Sequence, residues 1–308
     1  MKLAALDVGS NTVLMLVAET APDGGVRKLA ELARITRLGR GVDASGKLDA
    51  GAAALTLAAI VDFAGQARAL GAEKILGVAT AALRDAHDGG DFIAQVKAGA
   101  GVDLEIISGA AEAELSWLAV AHGLTLDPAD KVLIVDIGGG STELIRLEPG
   151  RKLDLVSLQL GSVRLTERLV HNDPPSAREA AGLRLAVDEA LQELGWDFIP
   201  DVMVGIAGTV TTVCAVALGL KSYDAAVVHG HHMSRSEVLH AIGTFGSLPL
   251  AERKKLPGLQ EGRADVIFAG AAILERTMGH FKLDEVIVSD QGVRWGVIWR
   301  ELGKAAPR

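Results

Sequence analysis

The stretch Val132-Leu-Ile-Val-Asp-Ile-Gly-Gly-Gly-Ser-Thr-Glu-Leu-Ile145 constrains this chain more than any other. An apolar, β-branched run ends at a carboxylate, Asp136. Three glycines and two hydroxyls follow, then a second carboxylate, Glu143, and the apolar alternation resumes. Apolar runs on both sides of a glycine turn predict a tight strand–turn–strand hairpin. Walker-type and dinucleotide glycine loops, by contrast, open onto a helix. Consecutive glycines let backbone N–H groups converge without Cβ obstruction, which makes an anion nest. Asp136 and Glu143 at its rim suit a hard divalent cation neutralising a phosphate.

The stretch has a twin. Leu3-Ala-Ala-Leu-Asp-Val-Gly-Ser-Asn-Thr-Val-Leu-Met-Leu-Val17 repeats the plan of strand, Asp7, Gly9, hydroxyl and amide residues, strand. Asp7 and Asp136 lie 129 residues apart, a domain-sized period rather than a solenoid one. A single glycine hairpin is often only a turn; two copies at domain spacing, each ending in Asp, point to a duplicated functional element.

Composition sets the remaining bounds. At 308 residues the chain predicts about two domains, each long enough for its own core. Hydrophobic content of 49% with 23% charged residues is globular. Cys214 is the sole cysteine, so an internal disulfide is excluded, and a cytoplasmic location is expected. The N-terminus carries one lysine before its strand, not a signal-peptide pattern. A net charge of −8 argues against general nucleic-acid binding, which needs a basic face, but leaves room for a polyanion in a locally basic site. Val202 to Leu220 carries no charge. Its glycines and threonines favour a strand, a glycine turn and a Thr-capped helix over a membrane span.

Strands and helices alternate throughout, which predicts an α/β protein. Arg34, Arg37 and Arg40 mark a strand margin, either a solvated edge or an anion guide. Glu112 falls in the first turn of a helix opened by Ser108-Gly109; on spacing alone it is a dipole complement. Gly205 to Thr212 reads as a third glycine- and hydroxyl-rich loop, this one running into a helix. His229-Gly-His-His232 does not supply a closed tetrahedral zinc site from one loop without cysteines. Its rings are expected to bond backbone or a substrate anion. Arg164, Arg263, Arg294 and the His229 loop add further basic groups suited to a polyanion.

Five stretches together carry a resemblance: Leu6-Asp-Val-Gly-Ser-Asn-Thr12, Val78-Ala-Thr-Ala-Ala-Leu-Arg84, Ile107-Ser-Gly-Ala-Ala-Glu-Ala113, Asp136 to Glu143, and Ser289-Asp-Gln-Gly-Val-Arg294. With Gly205 to Thr212 and His229-Gly230, they cover essentially the whole chain. The sequence resembles the exopolyphosphatase / guanosine pentaphosphate phosphohydrolase family, in its short two-domain form, within the actin-like ATPase fold superfamily. The resemblance implies an α/β fold of two duplicated actin-like, ribonuclease-H-like domains around a central cleft. The domains would be residues 1–123 and 124–296, with the final helix, within 297–308, packing back on the first.

It also implies roles. Glu112 matches the catalytic glutamate and Glu143 the second acid at the attacking water. Asp7, Asp136 and Glu143 match acids placed near Mg²⁺. Gly9, Ser10, Asn11 and Thr12 match one phosphate loop; Gly138, Gly139, Gly140, Ser141 and Thr142 match the other. Arg84 matches an arginine on substrate phosphates, and Gly208 and Thr209 the third loop. The implied substrates are inorganic polyphosphate or the stringent-response nucleotide guanosine pentaphosphate, with no membrane or nucleic-acid partner, and the implied assembly is a homodimer. The chain departs from the family at Ala111, where a second glutamate is common, at Asp88, where asparagine is common, and at Ala81, where serine is common. A negative charge at 88 would repel phosphate unless metal-bound or turned away.

Direct attack by water fits best, since no Ser/His/Asp or Cys/His constellation is visible. A non-enzymatic sensor is the alternative from another class, hinted at only by Ala111 and Asp88, and a sugar kinase is disfavoured. Among substrates, short polyphosphate is expected over the nucleotide. The repeated phosphate apparatus suits equivalent phosphates. Aromatic residues for stacking a base are scarce at 4%.

Overall fold

A computed structural model describes residues 1–21 and 25–303. They form two compact units, residues 1–119 with the segment from 293 onward, and residues 120–292.

In the first unit β1 (Lys2–Val8), β2 (Thr12–Thr20), β3 (Val26–Ile35), β4 (Lys74–Ala79) and β5 (Leu104–Ile106) form a sheet of order β3-β2-β1-β4-β5. The β1–β2 hairpin is antiparallel, and β4 adds to β1 in parallel. Period-2 alternation sends Ala4, Leu6 and Val8 to one core and Leu3 and Ala5 to another. Both faces are therefore covered, which is why the strand reads as a continuous apolar run. One face receives the helix Ala50–Ala69, whose Asp49 side chain accepts from the Ala52 N–H. This helix is long and apolar enough to pass for a membrane span by composition, but Ala59, Ile60, Phe63, Ala64 and Ala67 are buried in that core. The other face receives the helices Gly109–Gly123 and Val293–Glu301, through Leu115, Trp295 and Val297. They approach closely at Gly296, where a Cβ would stand 2.6 Å from the Leu115 carbonyl carbon.

The second unit contains β6 (Val132–Ile137), β7 (Thr142–Leu147), β8 (Asp154–Leu158), β9 (Val202–Ile206), β10 (His232–Ser234) and β11 (Glu285–Val288). Their order is β10-β11-β9-β6-β7-β8. Read from the far edge, β8-β7-β6-β9-β11 repeats the first sheet strand for strand, with β10 added antiparallel at the margin. The chain is thus a duplicated α/β fold of the expected ribonuclease-H-like kind. Its second core gathers Leu133, Val135, Ile137 and Leu144 from the strands with Val213, Phe245, Ile267 and Leu274 from the helices.

One local expectation fails. No glycine loop separates β9 from the next helix: Ala207–Ala217 begins immediately, its N-cap is Ile206, and no side chain caps it. The reversal is made by Ala207 at φ 68°, left-handed backbone that costs a non-glycine residue roughly 1 kcal/mol or more. Thr211 and Thr212 donate instead to the Ala207 and Gly208 carbonyls inside the helix.

Candidate active site

Each unit carries one glycine hairpin, and the two are built alike. Gly9 N–H donates to the Thr12 carbonyl at 3.1 Å, and Gly138 N–H to the Ser141 carbonyl at 3.0 Å. Both turns are gripped from behind by the segment that follows the third strand. The Asn11 carbonyl accepts from Thr36 and Arg37 N–H at 3.0 Å, and the Ser10 carbonyl from Gly39 N–H at 2.7 Å. In the second unit Ser162 N–H reaches the Gly138 carbonyl at 3.0 Å, and Val163 and Arg164 N–H reach the Gly139 carbonyl at 2.9 and 3.1 Å. Arg164 Nε donates to the Gly140 carbonyl at 2.8 Å. With the carbonyls drawn back, the N–H groups of Ser10, Asn11, Gly139 and Gly140 take no partner among the described residues. Successive donors of this kind form an anion-binding concavity. The Asn11 Nδ2 is also buried without a hydrogen bond. An unmet buried donor costs about 1–3 kcal/mol, which an anionic oxygen would relieve.

In the first unit Asp7 stands at the end of β1, paired in register with Val78 on β4. Arg84, on the short helix Ala81–Asp85 after β4, donates from Nη1 to the Ile107 carbonyl at 3.0 Å. The same nitrogen lies 3.4 Å from Glu112 Oε2, at the long limit of a hydrogen bond. A guanidinium has five N–H donors, so this leaves several for a ligand. Glu112 is buried, in the first turn of a helix whose Ser108 Oγ accepts from Ala111 N–H at 3.1 Å. The structure also answers for Asp88: its Oδ1 accepts from Leu48 N–H at 3.0 Å, so the charge is turned onto backbone.

In the second unit the ladder aligns three polar side chains. Asp136 on β6 pairs with Glu143 on β7, and Glu143 pairs with Ser157 on β8. Directly opposed residues share a face of the sheet, and here it is the face away from Val135, Ile137 and Leu144, which enter the core. Asp136 is 5% and Glu143 1% exposed. Ser157 Oγ donates to Glu143 Oε1 at 2.6 Å. Two buried, directly opposed carboxylates repel, and a divalent cation relieves that repulsion. Among the described residues no three His, Cys, Asp or Glu side chains gather as a preformed cage. Magnesium does not ask for one: it is commonly held by one or two carboxylates, with phosphate oxygens and water completing the octahedron. The Asp136–Glu143 pair fits that donor set.

The other expected residues divide. Ser10, Asn11, Thr12 and Ser141 are buried in the turns. The Thr142 hydroxyl is committed to the Leu160 carbonyl at 2.6 Å, so it serves the loop's frame. Gly208 and Thr209 lie in the first turn of the helix after β9 rather than in a loop. The Arg263 guanidinium packs on Gly208, its Nη1 standing 2.5 Å from where a Cβ would be. Burial pushes Arg263 down to about 10. The Arg294 Nε donates to Glu31 Oε1 at 2.8 Å within the first unit. Burial alone would raise the Glu31 carboxyl, yet Arg294 and Lys28 hold it below its ordinary value. Arg164 braces the second turn. His229 bonds backbone, with Nε2 3.0 Å from the Gly123 carbonyl and Nδ1 accepting from Asp290 N–H at 3.2 Å. Sequence reasoning missed Ser157, which no motif marks; only its register opposite Glu143 discloses it.

Comparison with known proteins agrees with this geometry. The model of the Ppx/GppA phosphatase family matches residues 16–305. Exopolyphosphatase 2 of Mycobacterium tuberculosis is 34% identical, over 96% of this chain and 97% of that protein. The Aquifex aeolicus member of the Ppx/GppA family superposes with a TM-score of 0.82 at 32% identity, over 98% of this chain and 97% of that one. A crystallised exopolyphosphatase-like protein gives a TM-score of 0.91 at 30% identity, over 97% of both. The two glycine turns, the paired acids and these matches along nearly the whole chain have one reading: the protein belongs to the Ppx/GppA phosphatase family.

Proposed function

We propose that this phosphatase is an exopolyphosphatase that removes the terminal phosphate of short inorganic polyphosphate, with Mg²⁺, by direct attack of water. The observation that carries the reading is the pair of turns with their carbonyls tied back and their N–H groups offered. Phosphoryl transfer depends mainly on positioning and on neutralising the equatorial oxygens, and these turns supply donors for that purpose twice over. The relatives named exopolyphosphatase support the choice of substrate.

In this reading Glu112 accepts the proton of the attacking water, helped by Glu143. The bond from phosphorus to the bridging oxygen breaks, and its electron pair leaves with the shortened chain. Arg84 and the N–H groups of the two turns bind and orient the phosphate oxygens. Asp136 and Glu143 would hold the metal, which supplies charge neutralisation at the phosphate. General-base assistance of this kind contributes roughly 10²–10⁴-fold.

The deciding experiment measures phosphate release from polyphosphates of several lengths, guanosine pentaphosphate and ATP at matched Mg²⁺ and salt. The expected result is the highest kcat/KM on short polyphosphate, with KM rising steeply as salt is added. A higher kcat/KM on guanosine pentaphosphate than on any polyphosphate would reverse the assignment. Asp136→Asn removes one charge favouring the cation and should raise the Mg²⁺ concentration for half-maximal activity by roughly tenfold or more. A titration with an unmoved midpoint would take Asp136 off the metal.

A further inference from the structure

We infer that Ser157 is a positioning residue for Glu143, holding that carboxylate in its working orientation; the inference rests on the phosphohydrolase reading above. The row Asp136, Glu143, Ser157 crosses three adjacent strands in register. An ionised carboxylate only accepts hydrogen bonds, so the serine hydroxyl is the donor and Glu143 Oε1 the acceptor, at 2.6 Å. That length is typical of a charge-assisted O–H···O⁻ bond. It opposes a specific force. Glu143 stands directly across from Asp136, and like charges in opposed positions push apart. Anchoring Oε1 on the β8 side fixes the plane of the carboxylate and with it the direction of the second oxygen.

The duplication supplies an internal control. In the first sheet Asp7 pairs with Leu14, and Leu14 pairs with Ala33. The same strands in the same order hold an aspartate at the first position, while the second and third carry leucine and alanine. The sheet therefore requires neither the glutamate nor the hydroxyl, and the two occur together in the unit that has the acid pair. Val156 and Leu158, flanking Ser157, pack against the core, so the serine faces the other side by strand alternation. An alanine at 157 reproduces what the first unit already carries at 33.

The test compares wild type, Ser157→Ala and Ser157→Thr by steady-state kinetics and thermal melting. A hydrogen bond to a charged group contributes about 1.5–3 kcal/mol. Ser157→Ala should accordingly lower kcat roughly ten- to a hundredfold, with KM and Tm close to wild type. Ser157→Thr, which keeps the hydroxyl, should recover most of the loss. Unchanged kcat in Ser157→Ala overturns the inference. So does a loss that threonine fails to restore, or one carried by KM or accompanied by a lowered Tm, since each points to packing or binding rather than orientation. The comparison runs on whichever phosphoanhydride the wild type hydrolyses. A preference for guanosine pentaphosphate thus overturns the substrate assignment and leaves the serine result readable, whereas a wild type inert on all of them overturns both.

Discussion

Glu112→Gln is expected to lower kcat by at least about 10² while leaving KM within a few-fold of wild type. Glutamine keeps the shape of the side chain and offers a carbonyl oxygen where Glu112 Oε2 now faces Arg84 Nη1. It removes the proton-accepting carboxylate together with its charge, which reaches Arg84 only at the 3.4 Å limit of contact. Arg84 keeps its bond to the Ile107 carbonyl, so the arginine proposed to bind phosphate stays in place and binding should survive. Helix placement does not require the acid either. Ser108 already caps the N-terminus, and an acid complementing the helix dipole is worth about 0.3–1 kcal/mol, too little to unfold the first unit. The variant therefore separates chemistry from structure. Steady-state kinetics on polyphosphate at saturating Mg²⁺ measure it; near-normal turnover would move the base to Glu143.

Much of this was legible in the sequence, and the exceptions share a cause. The hairpins at Asp7 and Asp136 showed because strand alternation and a glycine turn are local signals. Helix caps such as Asp49 and Ser176 are local in the same way. What failed depends on partners remote in the chain or on backbone geometry. Arg294 reads in the sequence only as a basic group, because its partner Glu31 lies 263 residues away. Asp88 looked repulsive because its acceptor role toward Leu48 N–H, 40 residues back, leaves no trace in composition. Nothing about an alanine announces φ 68° at Ala207, so the sequence predicts a loop where that helix starts. Ser157 is an ordinary strand residue until register sets it opposite Glu143.

The second large effect is expected at Gly161, which touches no substrate in the proposed mechanism. Its backbone, φ −142° and ψ 156°, is extended and open to any residue, so alanine brings no conformational strain. The obstacle is proximity. A Cβ there would lie 2.5 Å from the Gly140 carbonyl carbon and closer still to the Gly139 carbonyl, and these are backbone atoms that no rotamer change can withdraw. The turn would have to lift off the segment 162–164. That movement breaks the bonds from Ser162, Val163 and Arg164 N–H, and from Arg164 Nε, that draw its carbonyls back. Overpacking of this kind costs typically 1–3 kcal/mol and occasionally more, against a usual domain stability of about 5–15 kcal/mol. Gly161→Ala should therefore remain folded at 25 °C with a lowered Tm. It should nonetheless lose at least about 10² in kcat/KM, because misaiming an oriented donor set by an ångström is that costly. Gly182→Ala is the matched control. It lies within the helix Ala177–Gln192 with nothing within 4 Å of an added Cβ, and should raise stability by up to about 1 kcal/mol with activity unchanged. If Gly161→Ala keeps wild-type kcat/KM, the tethering of carbonyls is not what aims the N–H groups at phosphate, and the second turn's part in binding must be assigned to its side chains.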